Sequence, residues 1–442
     1  MPKAMTDWTP IASAGVLAEA ARLPGARIEL AGALEGLASI TLAPGVQLRG
    51  GALRFGSKGL RLSRDNTISS VSIEAAEHEP AIFNDTEQRS LGTLVLSDVR
   101  TVGQVLLLAH GAVDDGHVEV NGLHVARADM RGRLERPHGF GVEAMQGAFT
   151  LWNRQSADAV TITARLLDIS AGSLETPVRG SGVFVSGHGG DGGTVTVELL
   201  ETGAVYGDGG IQEGAADLIS GGVFTLHGAV LDRVVNTGAV STFGPNDMVL
   251  DNWGTVGEWV ALEPITSHGP SGIGFVNFGV INRLDVRAPL ATHGRGARGF
   301  NLYDGSLELA SFQSITTEGD GAVGIQVTKS LPTIEVRGDL ITTGGRGLSL
   351  VKGVQTPLPA VALSIPAGGE VGEVRIGGRL QTSGDDVVTM EVDGRLGRIS
   401  ATAGISALGA NSDAVHLGDD SLDLSGVAIG ARDGEALVRM GG

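Results

Sequence analysis

The chain has 442 residues, 42% of them hydrophobic, with 70 glycines and no cysteine, and a formal charge of −18 from 32 basic and 50 acidic side chains. Without cysteine there are no disulfides or thiolate metal sites. The acidic balance repels phosphate backbones and anionic lipid, and no run of 18 apolar residues exists to span a bilayer, so neither nucleic acid nor a membrane is an expected partner.

The first residues, Met1-Pro2-Lys3-Ala4-Met5-Thr6-Asp7, show no apolar core of a secretory signal. A cytoplasmic location is therefore expected, or a secreted one if a leader precedes this sequence. Ser13 to Leu23, closed by Pro24-Gly25, reads as a short amphipathic helix with Ser13 as N-cap. It fits a lid over open strand edges, within an N-terminal cap spanning 1–38. Between Ile40 and Val427 no segment keeps a 3.6-residue period over ten residues. Short β-branched runs with period-2 alternation and glycine turns take its place. Residues 39–427 are thus expected to form one all-β solenoid, and 428–442 a C-terminal cap or tail.

The solenoid shows itself in a recurring glycine. Gly244, Gly269, Gly294 and Gly319 stand 25 residues apart, Gly345 follows after 26, Gly384 after 39 and Gly409 after 25, with Gly207 lying 37 upstream. Four residues before them runs an apolar column, Val240, Ile265, Leu290, Ile315, Ile341, Leu380 and Ile405. Two residues before them runs a hydroxyl column, Thr242, Ser267, Thr292, Thr317, Thr343 and Thr382, broken by Ala407. Side chains two apart share one strand face, so the hydroxyls face inward with the apolar column and bond along it. The next strand places Phe275, Phe300, Ile325 and Leu348 inward and Val276, Asn301, Gln326 and Ser349 outward. Glycines at strand ends are expected in turns with positive φ.

The coils Ile40-Thr41-Leu42-Ala43-Pro44-Gly45-Val46-Gln47-Leu48-Arg49-Gly50 and Asn66-Thr67-Ile68-Ser69-Ser70-Val71-Ser72-Ile73 resemble those of the pectin-lyase-like superfamily of right-handed parallel β-helices. The resemblance covers nearly the whole chain and rests on coil pattern. It implies right-handed coiling and a carbohydrate lying along one outer face. Roughly 16 coils at about 4.8 Å each would stack to a length on the order of 80 Å.

Equivalent positions of neighbouring coils become spatial neighbours, so columns define surfaces. The outward position before each glycine holds Phe243, His268, His293, Glu318, Gly344 and Ser383, and just past the turn stand Arg295, Asp320, Arg346, Asp385 and Asp386. The following strand projects Phe278, Tyr303 and Thr328, with Asp304, Lys329 and Lys352 at its end, and Asn246 to Trp253 adds two carboxylates and an indole. Flat aromatic faces beside carboxylates suit sugar rings. Asp247, Asp251, Asp304, Glu318 and Asp320 are the acid/base candidates, with His293 or His268 as proton-transfer partner. Carboxylates about 5 Å apart suit a retaining glycosidase and about 6.5–9.5 Å an inverting one. Trp253, His268, Tyr303, Asn301 and Gln326 are candidates to hold the substrate, and Lys329 and Lys352 to neutralise a uronate in an elimination. The ordinary reading of each is a solvated turn residue on a polar surface. Insertions near Gly209 to Ile219 and Val354 to Gly369 break the period where loops would wall a site.

The expected function is a carbohydrate-active enzyme acting on an oligo- or polysaccharide by hydrolysis, elimination or intramolecular glycosyl transfer. The alternative is a non-catalytic glycan-binding or assembly protein. A side-by-side homotrimer is a further expectation. Gly187-His188-Gly189-Gly190 and Gly384-Asp385-Asp386 are fragments of the polygalacturonase signature in reversed order, and its other elements are missing. There is no P-loop, no strand-Gly-x-Gly-x-x-Gly-helix unit, no His-Glu-x-x-His and no tandem Gly-Asp array, so no cofactor or metal is expected.

Overall fold

Most strands pair in parallel with their equivalents in the neighbouring coils, as the columns predict, but two of the three short strands expected per coil are often fused into one long strand, as in Ser90–Val102, Thr194–Asp208 and Val280–Thr292. The computed structural model describes residues 7–351, 354–418 and 422–439, and its fold is an all-β parallel β-helix. The chain divides into two compact units: Met1–Pro137 with Met145–Gly207 and Phe224–Arg233, and His138–Ala144 with Asp208–Val223 and Val234–Gly442.

In the first unit, one interior row is Ile68, Leu96, Val120, Leu166 and Leu200, and another is Ile82, Val105, Phe149 and Val183, all buried. The helix is present but shorter than expected, Ala14–Ala20, with Leu17 buried. Ser13 sits at the N-cap in extended conformation without a side-chain capping bond. The helix stops because the N–H groups of Arg22 and Leu23 turn to the carbonyls of Glu19 and Ala20, three residues back, ahead of Pro24.

In the second unit, three rows line the interior. Val240, Ile265, Leu290, Ile315, Leu340, Leu380 and Ile405 form one. Leu250, Phe275, Phe300, Ile325, Leu363, Met390 and Val415 form the second. Trp259, Leu284, Ala310, Ile334, Val374 and Ile399 form the third. Each fully buried side chain of this size contributes about 1.5–3 kcal/mol. Ile429–Ala431 and Leu437–Arg439 add one more rung to two of these ladders.

Three expectations are corrected in detail. First, the period does not slip: Leu340 and Thr342, rather than Ile341 and Thr343, pair with Ile315 and Thr317, so the repeat glycine is Gly344. The step to Gly384 is then one coil of 25 residues with 15 extra. The extra residues form an antiparallel hairpin, Arg346–Val351 with Val354–Pro359, which carries Leu348 and Ser349 away from the ladder. Leu363 and Ser364 take their places opposite Ile325 and Gln326.

Second, the hydroxyl row is fully buried, but only part of it is bonded. Thr317 donates to Thr342 at 3.1 Å and Thr382 meets Thr389 at 2.6 Å, whereas the hydroxyls of Thr242, Ser267 and Thr292 find no partner.

Third, the repeat glycines do not have positive φ. A Cβ at Gly269, Gly294 or Gly319 would lie 1.8, 1.9 or 2.0 Å from the carbonyl oxygen of the preceding repeat glycine, so the requirement is a bare Cα where coils meet. The left-handed position falls two residues later, at Asn246, Ser271, Gly296, Gly321, Asp386 and Asn411.

Candidate ligand cavity

The sequence candidates separate onto two outer surfaces. The first is the column before the repeat glycines. Phe243 stacks on His268 with ring centroids 4.9 Å apart, His268 on His293 at 5.1 Å, and His293 Nδ1 meets Glu318 Oε2 at 2.7 Å. The fifth position is Thr343, not Gly344, because of the register just described. Burial, and then the neighbouring His293, hold His268 below the usual imidazole range. His268, His293, Glu318 and Asp320 are all exposed, and Asp320 spends one oxygen on the Gly345 N–H at 2.8 Å. This column is an open, stacked surface with no enclosing wall.

The second surface is a half-open pocket. Above the strands Asp247–Asn252, Ile273–Asn277 and Arg298–Leu302 lies a cavity of about 600 Å³. Met248, Asp251, Ile273, Val276 and Arg298 form its floor; Phe140 and Val142 reach it from the His138–Ala144 segment, Ile219 from the strand Leu218–Thr225 that pairs with that segment, and Leu350 from the hairpin strand Arg346–Val351. The insertion after Asp208 is pinned at its edge. Asn246 donates through Nδ2 to the carbonyls of Ala215 and Leu218, and Arg295 pairs with Glu213.

The aromatic wall follows from the 25-residue register. Phe278 and Tyr303 stand on neighbouring coils and stack at 5.3 Å with an interplanar angle of 10°. Phe140 stacks on Phe278 at 4.4 Å and meets Trp253 edge-on at 5.5 Å. Trp253 itself is buried, so it supports the wall from behind rather than offering a face to solvent.

The carboxylates differ sharply in surroundings. Asp247 is fully buried and accepts from Ser220 Oγ, from the Gly244 N–H at 2.7 Å and from the Gly209 N–H at 3.3 Å. Burial nonetheless pushes its pKa up to about 6. It anchors the start of the insertion, and as a saturated acceptor out of reach of solvent it is not the exposed acid/base residue the sequence reading expected. Asp251 is also fully buried, and neither oxygen makes a hydrogen bond of good geometry. The Trp253 indole favours its ionised form, but burial outweighs this and holds the carboxyl well above the usual range.

Asp304 lies at the cavity rim, half-exposed, with Lys329 Nζ 3.0 Å away. Lys329, and then the Gly305 N–H, keep it below the usual carboxylate range. Replacing Lys329 with Met is expected to move the Asp304 titration upward in a carboxyl-detected NMR experiment. Its effect on stability is expected to stay under about 1 kcal/mol, since the pair is exposed. An unmoved Asp304 would remove Lys329 as the cause.

Asn301 and Gln326 stand next to each other as expected, with Nδ2 to Oε1 at 3.1 Å, but Asn301 is fully buried. Lys352 lies outside the described residues. Arg298 was missed by the sequence reading. It is 3% exposed, donates to Ser349 Oγ at 3.2 Å, and leaves Nε without a partner. The signal was in the register, where one arginine occupies a column otherwise held by Met248, Ile273, Val323 and Val361. Phe140 and Asp217 were missed too, because they come from segments outside the repeat. Among the described residues no cluster of three or more His, Cys, Asp or Glu side chains is arranged to hold a metal.

In comparisons with protein-family models, curated proteins and solved structures, the chain has no match.

Proposed function

We propose that the protein is a carbohydrate-active β-helix of the pectin-lyase-like kind, and that its glycan lies in the cavity above Asp251 and Arg298 rather than on the His268–His293–Glu318 column. The observation that carries this reading is the stacked wall of Phe140, Phe278 and Tyr303 bordering a half-open pocket with polar groups on floor and rim. The CH faces of a sugar ring pack on such a wall while its hydroxyls reach the polar groups. Binding is the primary activity under this reading.

A second reading, glycosidic cleavage, is favoured by the opposite environments of two carboxyls on one cavity. Burial favours the protonated form of Asp251 and Lys329 the ionised form of Asp304, the division of labour of an acid and a base.

An oligosaccharide panel tested by calorimetry decides between them. Binding is expected to weaken at least tenfold in Phe278→Ala and in Tyr303→Ala, since stacking contributes on the order of 1–3 kcal/mol per ring pair with its buried area. Wild-type affinity in both variants would place the glycan elsewhere. Product release that disappears in both Asp251→Asn and Asp304→Asn selects cleavage over binding alone.

A further inference from the structure

Asp251 and Arg298 form an unusual combination. Both are more than nine-tenths buried, both line the same cavity, and both hold polar atoms without partners: the two carboxyl oxygens of Asp251 and Nε of Arg298. A carboxyl and a guanidinium buried on one cavity ordinarily pair, because each left alone is costly. Among the described residues no carboxylate lies within 4 Å of Arg298, and no cation within 4 Å of Asp251. The register explains why. Asp251 aligns with Val276 and then Asn301, so Arg298 sits two coils away and three residues back along its strand. Two strand spacings and three residues of rise put their backbones roughly 14 Å apart across the cavity floor.

The remaining charges do not fill this gap. Asp304 is engaged by Lys329 at the rim, and Asp217 is exposed on the opposite edge. The rings of Phe140, Phe278 and Trp253 cluster at the Asp251 end, and aromatic faces attract an ammonium.

We infer that the cavity takes an amphoteric ligand, whose ammonium meets Asp251 among the aromatic rings and whose carboxylate or phosphate meets Arg298. On the sugar reading of the cavity, from which the ring is taken, this is an amino sugar that also bears an acidic group. Asp251 then serves as an ion-pair partner, which excludes its use as a proton donor. The ligand's ammonium favours the ionised form of Asp251 that burial disfavours, so each buried group finds in the ligand the partner that the fold withholds, and a neutral ring leaves both unpaired.

Four related compounds test this with the whole chain: glucosamine 6-phosphate, glucosamine, glucose 6-phosphate and glucose, titrated calorimetrically at pH 7. Glucosamine 6-phosphate is expected to bind at least tenfold tighter than either singly charged compound, with glucose weakest. Asp251→Asn is expected to reduce it to the level of glucose 6-phosphate, and Arg298→Met to that of glucosamine. If a variant fails to fold, the wild-type series still decides. Glucose or neutral oligosaccharides binding as tightly as glucosamine 6-phosphate would overturn the charge inference and leave the glycan reading standing. Carnitine, an amphoteric molecule without a ring, binding in preference to glucosamine 6-phosphate would support the charges and overturn the sugar. No binding by any of these compounds, or by the oligosaccharide panel, overturns both.

Discussion

Gly294→Ala is expected to destabilise the second unit by about 3 kcal/mol or more in denaturant unfolding, a large loss for one methyl group. The methyl would stand 1.9 Å from the Gly269 carbonyl oxygen and 2.4 Å from its carbon, both backbone atoms fixed by the ladders on either side. No side-chain rotation relieves that contact, so the two coils must separate at this corner. The flanking hydrogen bonds, His293 N–H to Ser267 and Arg298 N–H to Gly272, are the first to lengthen. Hydrogen exchange should accelerate there before it does elsewhere, because a solenoid transmits strain mainly to adjacent repeats. Gly430→Ala is the control: nothing lies within 4 Å of the added methyl, and its effect is expected to stay within about 0.5 kcal/mol. Equal losses in the two variants would mean that the close approach of backbone is not what selects glycine in the repeat.

Asp251→Asn is expected to stabilise the ligand-free protein at neutral pH, because it removes a buried carboxyl with no adequate partner. The sign follows from linkage. Burial raises the Asp251 pKa above its unfolded value of 3.8, so the folded state holds a proton that the unfolded state releases. Stability is therefore unaffected by this group below about pH 3.8, falls as pH rises through the window up to the folded pKa, and levels off beyond it. The asparagine variant lacks this fall, so its advantage should grow from near zero at pH 3 toward neutrality. Asp247 adds a loss of the same sign between 3.8 and about 6 in both proteins, and the difference between them cancels it. A variant no more stable than wild type at pH 7, or an advantage that shrinks with rising pH, would show that Asp251 is better satisfied than its surroundings indicate.

Much of the fold was readable in the sequence, because parallel coils convert spacing directly into adjacency. His268 and His293 stack, and the Thr242 to Thr317 hydroxyls point inward, for no reason beyond a strand period of two and a coil period of 25. Two adjacent glycines, Gly344 and Gly345, hid the register at one corner, and the misreading carried Leu348 and Ser349 into a ladder where Leu363 and Ser364 belong. The glycine requirement was also misattributed, since spacing reveals that a residue recurs and not which atom it must lack. The cavity was half legible. Its floor and much of its aromatic wall, Asp251, Phe278, Tyr303 and Asp304, fall in register, whereas Phe140 and Leu350 arrive from segments with no period to place them. Asp247 and Asp251 look alike four residues apart in the chain and are both fully buried, so only the donors around them separate an anchor from an orphan.

The hairpin Arg346–Pro359 interrupts one turn of the helix, yet the strands resume opposite their proper partners, Leu340 against Leu380 and Ile325 against Leu363. Scaffold and roof are therefore separable modules. Length and sequence of that excursion are free to drift while the rungs stay in step.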